Sequence, residues 1–205
     1  MPVLTRGAAA RLDAVSVSED VNSLCLRESV SGRAGAVWVV RGNEDAYSGA
    51  SKAQTEKPNV DHVLEVQLVE NVLVRTFNAQ HARCGSMATA QAGELIRQAV
   101  NATSNLNVTS SKINQAKRGP FTAAMNRLQS DKLRSISMEQ LVRQGKNGWM
   151  LDGTWQRISA EVVRSYESIE DALVGGGVDA LPGAEKLVEG AVEELSRQMG
   201  VLGFV

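Results

Sequence analysis

Asp61 and His62 are the residues whose types and placement most suggest chemistry. The chain holds two histidines. His81, in Gln80-His81-Ala82-Arg83, has no acidic neighbour close in sequence and reads as a packing or surface residue. His62 directly follows a carboxylate, after a Pro-containing loop, in Asn59-Val60-Asp61-His62-Val63-Leu64-Glu65-Val66-Gln67. A neutral imidazole near its ordinary pKa of about 6.5 can accept a proton from water at pH 7. A carboxylate is a hard oxygen ligand that suits a divalent cation. Neighbours on a strand point to opposite sides, so the pair can divide these two tasks.

A second segment begins 43 positions after His62, at Asn105-Leu106, and runs through Ser110, Ser111, Lys112 and Asn114 to Lys117-Arg118-Gly119. Asn105 and Asn114 are nine residues apart. Together with Asp61-His62, this pattern resembles the HNH, or His-Me finger, nucleases of the ββα-metal type. The last member is Asn rather than His, which makes it an H-N-N variant. The resemblance spans Asn59 to Gly119 and implies a metal-dependent endonuclease that hydrolyses phosphodiesters with Mg²⁺ or Mn²⁺, on DNA before RNA. It implies His62 as general base, Asp61 and Asn114 as metal ligands, and Asn105 as the residue that fixes the loop and orients His62. Lys112, Lys117 and Arg118 are the phosphate contacts expected from it, with Glu65 and Gln67 in support of the metal or the His62 ring. Residues 110–114 are expected at a helix N-terminus, where N–H groups and the helix dipole favour phosphate.

Two features depart from the family. The interval between His62 and Asn105 is longer than in a compact HNH motif, which implies a helical insertion and leaves Asn101 and Asn107 as rivals for the middle position. The Cys-x-x-Cys pairs that brace many HNH domains are absent: the cysteines are Cys25 and Cys84. The competing reading is a non-catalytic helical module with a degenerate HNH fold that binds nucleic acid or a protein partner. Neither Cys25 nor Cys84 has spacing to His81 that supports a thiol site, and Gly175-Gly176-Gly177 lacks the Lys-Ser/Thr of a phosphate loop and reads as a hinge.

The elements that must position these residues can be read from periodicity. Ala36–Val40 is apolar, β-branched and bounded by Gly35 and Gly42, and predicts a strand. Residues 43–59 predict a loop. Val63–Phe77 has several helical spacings with a strand start left open, and Met87–Ala102 predicts a helix. Asn105–Thr109 predicts a short strand. A helix from Ser110 or Ser111 through Ala116 is expected to stop at Gly119-Pro120. Further helices are predicted at Phe121–Gln129, Met138–Gln144, Thr154–Val174 and Ala184–Met199, with a turn over Gly145–Gly153.

The expected architecture is α+β, a small ββα-metal core embedded in a mostly helical domain. Residues 1–35 are expected to wrap the core or stay partly mobile, 36–150 to form the HNH-like core, and 151–205 a helical appendage. Hydrophobic residues are 43% of the chain and aromatics 4%, so the core must be aliphatic, with Trp38, Trp149 and Trp155 as anchors. The net charge of −1 hides a division: Ser111–Met150 carries eight bases against two acids, and the remainder to Val205 four against ten. A basic block can be a polyanion footprint. The acidic carboxy-terminal helices suggest a homodimer surface. No apolar run reaches the roughly 18 residues of a membrane span, and Met1–Asp13 has no signal-like apolar region, so an intracellular location, cytoplasm or nucleus, is expected.

Overall fold

The computed structural model describes residues 26–129, 137–151, 153–176 and 182–205, and of 78–86, 129, 176 and 182 the backbone alone. Cys25, the side chains of His81 and Cys84, and most of the expected amino-terminal wrap lie outside these.

Among the described residues the protein is mostly helical with one two-stranded sheet, as the sequence predicts. Helix α1 is Ala34–Val40, strand β1 Pro58–His62, helix α2 Val66–Val100, strand β2 Leu106–Ser110 and helix α3 Ser111–Gln129. Helices α4 (Met138–Gln144), α5 (Thr154–Gly176) and α6 (Pro182–Val201) follow. β1 and β2 pair antiparallel, with Asp61 opposite Asn107 and His62 opposite Leu106. The order strand, strand, helix is therefore present, and α2 is the insertion between the strands.

Three local expectations fail for identifiable reasons. Ala36–Val40 is helical, not a strand. Its Val37 and Trp38 bury against Leu106, Val108 and Val30 on one face of the sheet, while Val39 and Val40 stay exposed. Tertiary packing overrides β propensity here. Gly42 and Asn43 then end the helix with φ of 64° and 61°, a left-handed pair that glycine and asparagine tolerate. The two segments 63–77 and 87–102 are one 35-residue helix.

Helix α3 also runs on through Gly119-Pro120 to Gln129. Proline cannot donate to the carbonyl four residues back, which costs an interior helix about 3 kcal/mol or more. The Asn147 side-chain amide supplies a replacement donor to that carbonyl, Ala116 O, at 3.0 Å.

The main core lines α2 with Val69, Leu73, Phe77, Ile96 and Val100. Ile158, Val162 and Ile169 of α5 and Leu187, Leu195 and Met199 of α6 belong to the same cluster. The two carboxy-terminal helices thus share one core with the inserted helix. Trp38 and Trp155 are buried, as expected of anchors, whereas Trp149 is 38% exposed. Among the described residues no helix is long and apolar enough to cross a membrane.

Candidate functional site

The strand period of two divides the hairpin into unlike faces. Asn59, Asp61, Asn107 and Thr109 fall on one, and Val60, His62, Leu106 and Val108 on the other. Asp61 and His62 point apart, as the sequence predicts.

The polar face is closed by the loop after α1 and by α3. Asp45, fully buried, accepts hydrogen bonds from Asn107 Nδ2 at 2.9 Å, Thr109 Oγ1 at 2.9 Å, Ser48 Oγ at 2.5 Å and the Tyr47 backbone N–H at 3.0 Å. This ties the loop to β2 and places the buried Tyr47 beside Asp61, where its hydroxyl donates to Oδ2 at 2.9 Å.

Lys117 enters the same space from α3 and is fully buried. Its ammonium donates to Asp61 Oδ2 at 2.7 Å and to the His62 carbonyl at 2.5 Å, and pairs with Glu65 Oε1 at 3.1 Å. The Tyr47 hydroxyl is a fourth oxygen neighbour at 3.4 Å, so every N–H of the ammonium has a partner. The rings of Phe121 and Tyr47 flank the charge at 5.3 and 5.6 Å. Burial works against the ammonium, but the Asp61 and Glu65 carboxylates outweigh it and hold the Lys117 pKa above its ordinary value. Burial raises the Asp61 pKa, and the Glu65 charge adds to this, while Lys117 opposes both. Tyr47 is raised well above the usual phenol value, first by burial and then by the Asp61 charge, so it is a neutral donor.

This corrects the place assigned to Lys117. It is an internal cation, not a phosphate contact. It also bears on Asp61, whose Oδ2 is taken by an ammonium and a phenol and whose exposure is 7%. Of the two donors that the resemblance assigns to Mg²⁺ or Mn²⁺, Asp61 has its Oδ2 held by a protein cation, which does not fit a metal at that oxygen.

His62 lies on the other face and is 3% exposed. Its Nε2 is 3.0 Å from Asn101 Oδ1. The Asn101 amide nitrogen donates to Leu26 O at 2.6 Å and Arg97 O at 2.8 Å, which fixes Oδ1 toward the ring. Nε2 is therefore the protonated nitrogen. Burial lowers the His62 pKa, against the Asn101 hydrogen bond, which raises it. The expectation that His62 faces water is corrected: the imidazole is neutral and packed.

The lowered value has a measurable consequence. An imidazole whose folded pKa lies below its unfolded value leaves stability intact above about pH 6.5, where both states are neutral. Stability then falls as pH drops, because the unfolded chain takes up the proton first. Replacing His62 by Gln is expected to flatten the pH dependence of urea stability just below pH 6.5. An unchanged slope would show that His62 is not the group responsible.

Asn105, fully buried, does what was expected of the middle asparagine with respect to the loop. Its Oδ1 accepts from Leu64 N–H at 2.7 Å, and its Nδ2 donates to Val100 O at 2.7 Å and Leu64 O at 3.2 Å. Its own carbonyl accepts from Val63 N–H at 2.8 Å. One amide thereby locks the end of β1, the end of α2 and the start of β2. Orientation of the His62 ring falls to Asn101, and Asn107 holds Asp45.

Of the remaining expected residues, Glu65 joins the Lys117 cluster and Gln67 is exposed on α2. Asn114 is half-buried, one helical turn before Lys117 on the same side of α3. Lys112 and Arg118 are exposed. At the start of α3, two of the N–H groups expected to face phosphate are already bonded, Ser111 to Lys57 O at 3.2 Å and Ile113 to Ser110 Oγ at 3.3 Å.

Beside that helix start lies an open groove of about 770 Å³, walled by the 45–57 loop, Ser110–Ala116 and Trp149. Lys112 Nζ sits 4.6 Å from the centre of a Trp149 ring. A cation–π contact at so exposed a site is worth about 0.5–1 kcal/mol. Lys57, also on the rim, has a φ of 45°, held by the N–H and hydroxyl of Ser111 on its carbonyl.

Asp45 and Tyr47 are the site residues that sequence reasoning missed, while Asn101, named there only as a rival for the middle position, is the one that meets His62. The first two lie in a stretch whose composition signals only a loop. Comparison with protein-family models, curated proteins and solved structures gave no match for this chain.

Proposed function

We propose that this protein binds nucleic acid on an HNH-like ββα scaffold and does not cut it. The observation that carries the reading is the Lys117 ammonium held by Asp61 Oδ2, Glu65 Oε1 and the His62 carbonyl. A protein cation stands where phosphodiester hydrolysis of the HNH kind needs a metal, and the imidazole that would activate water is packed against Asn101. The exposed Lys57, Lys112, Arg118 and Lys146 support a polyanion as the partner.

A second reading, the metal-dependent endonuclease, is favoured by one observation. Asn105 braces the junction of β1, α2 and β2 as the resemblance implies for an active HNH site.

Supercoiled plasmid and labelled oligonucleotides, with Mg²⁺, Mn²⁺ or EDTA, separate the two. The expected result is retarded oligonucleotide and no nicking beyond that of His62→Ala in any metal. EDTA-sensitive nicking that His62→Ala abolishes would replace the first reading by the second.

A further inference from the structure

We infer that the groove at the start of α3 takes a single-stranded segment of nucleic acid, with an unpaired base on the Trp149 indole and phosphates on Lys112 and Lys57. This rests on the nucleic-acid reading above and specifies its surface and its substrate form.

Three observations lead there. The groove, about 770 Å³, falls in the size range of sites that enclose small ligands or short ligand segments. Trp149 forms part of its wall and is 38% exposed, while Trp38 and Trp155 are both buried. A large aromatic left open beside a cation is the arrangement on which bases stack, because every base offers a π face. In a duplex those faces are covered by neighbouring pairs, so the groove selects unpaired strands.

Charge sets the character of the binding. Lys57 and Lys112 line the groove, but so does Glu56, and the Asp45 carboxylate at its base is occupied by Ser48, Asn107 and Thr109. Stacking rather than counterion release therefore dominates. Two phosphate contacts to a single strand predict a salt slope of about −1.4 in log K against log salt. Lys112, now over the indole, is exposed and unbranched, so it can swing to a phosphate when a base takes its place.

The test is a titration of the full chain with unlabelled ten-nucleotide single strands and with duplexes of the same length, read by tryptophan emission and by retardation. Single strands are expected to quench the exposed tryptophan and to bind more tightly than duplex. Trp149→Ala is expected to lower single-strand affinity at least tenfold, and Trp149→Phe to abolish the quench while keeping most of the affinity. Lys112→Ala is expected to reduce the salt slope by about 0.7. Equal binding of both forms, unchanged in Trp149→Ala, would overturn the groove and leave nucleic-acid binding standing. Failure of every oligonucleotide to bind would overturn both.

Discussion

Replacing Lys117 by Met is expected to lower the stability of this protein by about 3–5 kcal/mol, the loss found when one partner of a buried ion pair is removed. Methionine keeps most of the volume, so the loss reports charge rather than packing. Asp61 and Glu65 would remain 7% and 8% exposed without the ammonium between them. For a chain of 205 residues that corresponds to a fall in Tm of about 10 °C. Two controls identify the cause. Adding Asp61→Asn and Glu65→Gln to Lys117→Met is expected to recover more than half the loss. The deficit is also expected to shrink as pH falls below about 4. Burial raises the Asp61 pKa above its unfolded value and Lys117 is its main counterweight, so without the ammonium the Asp61 penalty applies above the unfolded value and disappears as the proton returns. Urea denaturation of the intact chain and the two variants measures both effects. A loss below 1 kcal/mol in the single variant would mean that the ammonium does not hold this cluster together.

Asn105→Ala is expected to cost about 3 kcal/mol. The amide is fully buried, and its removal leaves Leu64 N–H, Leu64 O and Val100 O without their side-chain partner in a dry junction. An unsatisfied buried polar group costs about 1–3 kcal/mol, and partial relaxation keeps the sum below three times that. Asn105→Asp is expected to fare no better, because a carboxylate can still accept from Leu64 N–H but turns an acceptor toward two carbonyls. Amide exchange at Leu64 should rise in both variants. A stable Asn105→Asp protein with a protected Leu64 amide would show that the hydrogen bonds to Val100 and Leu64 carbonyls are dispensable.

The helical frame was legible where the apolar period is long and uninterrupted. Thr154–Val174 was read two residues short of the Thr154–Gly176 helix, and the extended run at 105–109 one residue from Leu106–Ser110. The strand–strand–helix order came from the resemblance instead, since periodicity read residues 43–59 as a loop and gave no strand ending at His62. Ala36–Val40 was not legible, because its β-branched residues favour a strand locally and only the apolar face of the hairpin makes it a helix. Pro120 misled in a similar way. The donor that lets α3 pass through it comes from Asn147, 31 positions from Ala116, and no local pattern announces it.

Within the site, the bracing half of the role expected of Asn105 is met, its orienting of His62 falls to Asn101, and the role of Lys117 was misread. Counting charge along the basic block made Lys117 one cation among eight. Helical phase gives a different answer. Ile113, Ala116, Phe121 and Ala124 form the buried stripe of α3, and Lys117 falls on it between Ile113 and Phe121. A lone cation on an apolar stripe, in a chain with acids spaced as at Asp61 and Glu65, is the signal that was present. Asn101 was held only as a rival for the middle asparagine, and its contact with His62 across 39 residues runs past a helix whose length the sequence did not fix.

Titrating Mn²⁺ into the 205-residue chain, with free Mn²⁺ followed by its electron paramagnetic resonance signal, addresses the central claim that a lysine ammonium fills the cation position. The intact chain and Asp61→Asn are expected to give superimposable curves, because Lys117 and Tyr47 hold Asp61 Oδ2 and the residue is 7% exposed. One equivalent of Mn²⁺ bound by the intact chain and lost in Asp61→Asn would contradict the account and return the cluster to a metal centre.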